Sequence, residues 1–111
     1  MKIQFERHPH AICVVLTDAG ECDRVITVAH PSDAFRAFGI FARDVDLIAY
    51  KPIDALFSLP RVVCVEIERR EGCWRVEVVY WHKGLGTLAQ YEVEAVMLSE
   101  ALARCVWALA G

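Results

Sequence analysis

The sequence predicts an α+β fold in which an antiparallel sheet carries its helices mainly on one face. Three observations indicate this class: segments of alternating apolar and polar residues, two segments with apolar residues at helical spacing, and turn-forming residues between successive strands. The expected order is β-β-β-α, a short helical connector, then β-β-β-α. At 111 residues the chain has the length of one domain, and we expect residues 1–111 to form a single one.

The N-terminal part of the chain predicts three strands and a helix. Residues 2–6 alternate, and residues 11–17 and 24–29 flank the turn-rich segment DAGECD as a hairpin. Ser32 is expected to cap a helix through DAFRAFGIFARD, in which Phe35, Phe38 and Phe41 recur at helical spacing, although Gly39 weakens that helix by roughly 1 kcal/mol.

The segment VDLIAYKPIDALFSLP, residues 45–60, predicts a connector. Pro52 is expected to start a short helical turn and Pro60 to end it. The connector would bury three apolar side chains, Leu56, Phe57 and Leu59. The pattern leaves open whether the N-terminal hairpin joins the C-terminal strands in one sheet or forms a second sheet.

The C-terminal half predicts three strands, at 61–70, 73–82 and 87–94, and a helix from Ser99 to Ala110. The helix has one apolar stripe of core-facing residues, Leu98, Leu102, Cys105 and Leu109.

In the first C-terminal hairpin, a two-residue turn sets Arg70 opposite Cys73 and turns Val63, Val65 and Ile67 toward the core. The register shifted by one residue would bury Glu66 and Glu68 without partners, so we reject it.

The predicted register leaves the opposite side of the sheet, here called the outer sheet face, half apolar and half acidic. Pairing His82 with Thr87 extends it onto the last strand. Its expected rows are Val62, Trp81, Leu88; then Cys64, Val79, Gln90; then Glu66, Glu77, Glu92; then Glu68, Arg75, Glu94.

Like charges opposite each other on neighbouring strands destabilise a sheet, so the row of Glu66, Glu77 and Glu92 needs an explanation. One hypothesis is a solvated surface, partly neutralised by Arg75. A second is a docking face for a basic partner, with Trp81 as its anchor. A divalent-cation site is a poor third, because no Asp, Asn or glycine loop accompanies the glutamates. Under the docking hypothesis, changing the three glutamates to Gln should leave folding intact or slightly improved.

Trp107 is predicted to point away from the stripe of the C-terminal helix. Two interpretations remain open: contact with the Phe35/Phe38/Phe41 helix, or an interface anchor.

Composition excludes several functions. A formal charge of −3, with no basic run longer than Arg69-Arg70, argues against direct nucleic-acid binding. No signal peptide or membrane span is apparent, and we expect a cytoplasmic protein. Five widely spaced cysteines are expected to be reduced and mostly buried. A hydrophobic content of 56% favours an oligomer or a partner.

The sequence contains no recognisable catalytic motif, and we expect neither a cofactor nor a metal. His8, His10 and His30 could converge at the end of the first hairpin, but no further ligand completes a site. The main hypothesis is a non-enzymatic interaction module, such as a phage- or mobile-element-type inhibitor of the anti-CRISPR or anti-restriction class. Its partner would be a basic and nucleic-acid-binding protein, contacted through Glu66, Glu77, Glu92, Arg75, Glu94, Trp81, Val62, Leu88 and Trp107.

Two alternatives are kept. One is a small enzyme or metal-binding protein that uses His30 or His82 with a thiol or carboxylate. The other is a homodimeric structural or adaptor protein joined through Val62, Trp81 and Leu88.

Overall fold

The computed structural model describes residues 1–18, 22–39 and 50–110. Within these ranges the protein has an α+β fold of six strands and three helices, in the order β-β-β-α-α-β-β-β-α. The strands are β1 (Lys2–Arg7), β2 (Ile12–Thr17), β3 (Arg24–Val28), β4 (Val62–Arg70), β5 (Cys73–Trp81) and β6 (Leu88–Ala95). The helices are α1 (Asp33–Ala37), α2 (Tyr50–Ser58) and α3 (Leu98–Ala110).

All six strands form one antiparallel sheet in the order β3-β2-β1-β4-β5-β6. The pairing of β1 with β4 joins the two halves, and it sets Ile3 opposite Ile67 and Phe5 opposite Val65. Because these four apolar residues then lie on the same side, the two halves share one buried face. The N-terminal hairpin therefore belongs to the same sheet as the C-terminal strands.

The helices cover one side of the sheet, here called the inner sheet face. The Phe5 ring on β1 lies 6.0 Å from the ring of Phe35 on α1 and 6.0 Å from that of Phe57 on α2. The predicted α3 stripe is buried at all four of its positions, Leu98, Leu102, Cys105 and Leu109. A strand with one covered face shows the alternating burial seen in β1 and β2.

Val62 is not on the outer sheet face, and this prediction is wrong. The ladder between β4 and β5 shifts register between Val62 and Cys64, where a β-bulge pairs Val62 with Tyr80. The extra residue reverses the alternation, so the Val62 side chain is fully buried in the core and Val63 does not take the predicted core position. An apolar run such as RVVCV satisfies either face, so its pattern gives no sign of the bulge.

Helix α1 is shorter than predicted. It ends at Ala37, and Gly39 follows with a φ of 70°, a left-handed conformation that commonly terminates helices. Ser32 precedes the helix without capping it through its side chain; its hydroxyl donates a hydrogen bond of 2.6 Å to Asp54 instead. The predicted position of Phe41 lies outside the described residues.

The connector forms a helix of nine residues, α2, rather than a single turn. Leu56 and Phe57 are buried as predicted, and Leu59 packs against the core. Arg7 on β1 fixes the end of this helix, because its guanidinium donates hydrogen bonds to the backbone carbonyls of Val62, Leu59 and Phe57. Residues 45–49 of the predicted connector lie outside the described part of the chain.

The five cysteines are free, and their burial predicts a wide range of reactivity. Burial in the core raises the pKa of the Cys105 thiol to about 12, whereas Cys22 is exposed. Because the thiolate is the reactive form, iodoacetamide at pH 8 should label Cys22 rapidly and leave Cys105 unlabelled until denaturant is added. Peptide mass spectrometry reads out both sites. Labelling of Cys105 at the rate of Cys22 in the native protein would contradict this placement.

Candidate functional site

The outer sheet face has the predicted rows on β4, β5 and β6, apart from Val62. Glu66 pairs with Glu77, Glu77 with Glu92, and Trp81 with Leu88. Strand β1 extends the rows with residues that the sequence could not assign, because the pairing of β1 with β4 was unknown. These additional outer residues are Lys2 beside Glu68, Gln4 beside Glu66, and Glu6 beside Cys64.

Arg75 is the centre of the acidic part of the outer sheet face. Its Nε donates to Glu92 at 2.8 Å, its Nη1 lies 3.4 Å from Glu66, and its Nη2 donates to Glu77. Although it lies on the face away from the helices, its side chain is only 12% exposed, because the glutamates surround it. One guanidinium therefore contacts all three carboxylates of the row and offsets one of their three negative charges.

Further ion pairs surround this centre. Lys2 lies 3.2 Å from Glu66, and Arg70 contacts Glu68 at 3.0 Å and Glu94 at 2.8 Å. The hydrogen bond that Arg75 donates to Glu92 raises the pKa of Arg75, and the hydrogen bond that Arg70 donates to Glu68 lowers the pKa of the Glu68 carboxyl. Both shifts favour the charged forms of Arg75 and Glu68.

The outer sheet face carries a net formal charge equal to that of the whole chain. Six glutamates lie on it, and three cations oppose them, giving −3. The glutamates are Glu6, Glu66, Glu68, Glu77, Glu92 and Glu94, and the cations are Lys2, Arg70 and Arg75.

An apolar area lies at one end of the outer sheet face, where β5 meets β6. Trp81 is 50% exposed and its cross-strand neighbour Leu88 is 53% exposed. The turn beyond them is held by His82, whose Nδ1 accepts hydrogen bonds from the backbone N–H groups of Gly84 at 3.1 Å and Leu85 at 3.2 Å. This contact gives His82 a structural role in orienting the hairpin.

Trp107 points away from the sheet, as its helical position predicts, and it is 86% exposed. It therefore does not pack against Phe35 or Phe38, which lie in the core. It forms one wall of a groove of about 990 Å³ between α2 and α3. The groove is lined by Lys51, Pro52, Ala55, Ala103, Val106, Trp107, Ala108 and Ala110.

The histidines do not assemble a metal site. In the described ranges no three His, Cys, Asp or Glu side chains are grouped so that they could hold a metal ion, and His8, His10 and His30 all lie within those ranges. His30 lines a small pocket of about 210 Å³ with Arg7, Asp54 and Ser58. Its polar groups hold the fold together, since Asp54 accepts hydrogen bonds from the Ser32 backbone and hydroxyl, and Arg7 binds backbone carbonyls.

No protein-family model matches the chain, and neither a curated protein nor a solved structure matches it. In the part of the chain that the structure describes, no helix has the length and apolar character needed to cross a membrane.

The contacts of Arg75 reverse the expectation that Gln at Glu66, Glu77 and Glu92 leaves folding intact or improved. These glutamates are the ion-pair partners of a guanidinium that is largely shielded from water. Neutralising all three leaves that charge with weaker neutral acceptors, so the substitution should destabilise the protein.

Arg75→Met should lower the free energy of unfolding by about 1–3 kcal/mol, because it removes the one cation that contacts all three carboxylates of the row and leaves only Glu66 with a neighbouring cation, Lys2. Urea denaturation followed by circular dichroism measures the change. Arg104→Met is the matched control: Arg104 is 55% exposed and pairs with Glu100 one helical turn away, so its loss should change stability by no more than about 0.5 kcal/mol. Equal effects of the two substitutions would contradict the central role of Arg75.

Proposed function

We propose that this protein is a small non-enzymatic interaction module that binds a basic surface of another protein through its outer sheet face. The observation that carries the proposal is the net formal charge of −3 on that face, where six glutamates oppose three cations. Trp81 and Leu88 add exposed apolar area on the same side. Many protein interfaces combine complementary charge with an aromatic side chain that the partner buries in the complex.

The ion-pair network prepares the glutamates for binding. Neighbouring strands lie about 4.8 Å apart, so Glu66, Glu77 and Glu92 present carboxylates in a row at about that spacing. Arg75 restricts their rotamers before a partner arrives, which reduces the entropy lost on binding. Trp81 is four residues along β5 from Glu77, or about 13 Å away. The partner should therefore combine clustered Lys or Arg with an apolar contact at that distance.

A protein surface that binds nucleic acid fits this description. Lys and Arg side chains that contact phosphate oxygens also bind carboxylates, through the same charge-assisted hydrogen bonds. We therefore propose that the protein acts as an inhibitor that occupies such a surface, in the manner of the anti-CRISPR and anti-restriction class made by phages and mobile elements. Long-range attraction between the two faces would accelerate association at low salt.

Glu6→Lys should abolish capture of the partner. Glu6 is exposed and lies on the outer sheet face outside the contacts of Arg75, so its reversal changes the surface charge and leaves the central network in place. The tagged wild type, incubated with an extract of the source cells, should retain a basic protein that is released by about 0.5 M salt. Mass spectrometry identifies it.

Asp23→Lys is the matched control, because it makes the same charge change at an exposed residue that directly precedes β3, the edge strand farthest from β6. It should retain the partner. The captured protein should bind nucleic acid, and the wild type should displace that nucleic acid while Glu6→Lys does not. Failure to capture a basic protein, or equal capture by Glu6→Lys in low and high salt, would contradict the proposal.

Trp81→Ala should weaken binding of the captured partner by at least about 30-fold, since loss of an aromatic anchor commonly removes 2 kcal/mol or more. Isothermal titration calorimetry measures the dissociation constant. Val25→Ala serves as the control, because Val25 is 61% exposed at the far edge of the same sheet, on β3. A Trp81 variant that binds as tightly as the Val25 variant would show that the apolar end of the face is not part of the interface.

A further inference from the structure

The helix side of the molecule carries a second exposed aromatic anchor, Trp107. Its 86% exposure is the largest among the exposed large apolar side chains of the described residues. Beside it lies the groove between α2 and α3, which is lined by four alanines among eight residues and also by Lys51. We propose that two copies of the chain associate through this helix side, with Trp107 of each copy in the groove of the other.

The net charge of the helix side favours self-association there over self-association through the outer sheet face. Two outer sheet faces would bring net charges of −3 together, which opposes the homodimer through Trp81 and Leu88 that the sequence suggests. Helices α2 and α3 instead carry two residues of each sign, Lys51 and Arg104 against Asp54 and Glu100. Their net charge is zero, so a second copy meets no like-charge barrier there.

The sequence of α3 suits a twofold contact. Glu100, Ala103, Trp107 and Ala110 recur at i, i+3, i+7 and i+10, which places them on one exposed side of the helix. In a twofold dimer with antiparallel α3 helices that cross midway between Ala103 and Trp107, the small Ala103 permits close approach. Each Trp107 then faces Ala103 of the partner, which lines the partner's groove.

The same arrangement creates complementary charge pairs. Lys51 lines the groove that would receive the partner's Trp107, and Glu100 lies two turns before Trp107 on the same side of α3. Antiparallel helices therefore bring Lys51 of one copy toward Glu100 of the other, and the symmetry repeats this contact. The dimer would keep both outer sheet faces exposed, so it is independent of the proposed function and would make the binding bivalent.

Light scattering after size-exclusion chromatography, over a range of protein concentrations, tests the proposal. The wild type should reach the mass of a dimer. Trp107→Glu should remain a monomer with an unchanged circular dichroism spectrum, because the side chain is exposed and its loss leaves the core intact. Trp81→Ala, the control on the outer sheet face, should dimerise as the wild type does. A monomeric wild type, or a dimer that survives Trp107→Glu, overturns the proposal.

A charge exchange tests the contact between Lys51 and Glu100. Lys51→Glu and Glu100→Lys should each raise the dimer dissociation constant about fivefold, and the double variant should restore it to near the wild-type value. Glu100 also pairs with Arg104 in its own helix at present, but that local loss is not repaired by a change at Lys51. Recovery in the double variant therefore supports the twofold contact, and additive weakening overturns it. Neither result depends on the partner of the outer sheet face.

Discussion

The register of β4, β5 and β6 brings three glutamates into one row, and the guanidinium of Arg75 in the adjacent row compensates them. This contact follows from the demands of the other side of the sheet. Val65, Ile67, Val76 and Val78 must face the helices, and their alternation fixes which residues face outward. A strand register shifted by one residue would separate the glutamates, but it would turn some of them toward the core and bury their charge. The glutamates therefore stay in one row, and a nearby cation is needed to offset their repulsion.

This compensation shapes the surface in two ways. It reduces the repulsion that weakens the pairing of β4, β5 and β6 at Glu66, Glu77 and Glu92. It also holds the carboxylates in place while leaving the face with a net charge of −3. The same residues that stabilise the sheet thus present an ordered acidic surface, and the proposed binding of a basic protein depends on both properties.

The sequence predicted most of this arrangement because strong periodic patterns decide it. The α+β order follows from alternation, helical spacing and turn residues, and the pairing of Glu66 with Glu77 follows from alternation together with the turn at Glu71 and Gly72. Gly72 adopts the φ of 76° that favours glycine in such a turn. The function proposed for the outer sheet face stays a prediction, since chain pattern alone does not identify a partner.

The features that the sequence missed depend on contacts between distant segments. Val62 lies within a run of apolar residues that fits either face, so only packing against Tyr80 and the core shows the bulge. The hydroxyl of Ser32 binds Asp54, which is 22 residues away, instead of capping its own helix. Glu6 could be placed on the outer sheet face only once the pairing of β1 with β4 was known, and the alternation within each strand does not determine that pairing.

Nuclear magnetic resonance of the isotopically labelled protein tests the central claim most directly, because it locates the binding face. On addition of the captured basic partner, the Nε–H signal of Arg75, the indole signal of Trp81 and the backbone amides of Glu66, Glu77 and Glu92 should shift or broaden. The indole signal of Trp107, on the helix side, should stay in place. Shifts confined to the helix side, with the signals of Arg75 and Trp81 unchanged, would contradict binding through the outer sheet face.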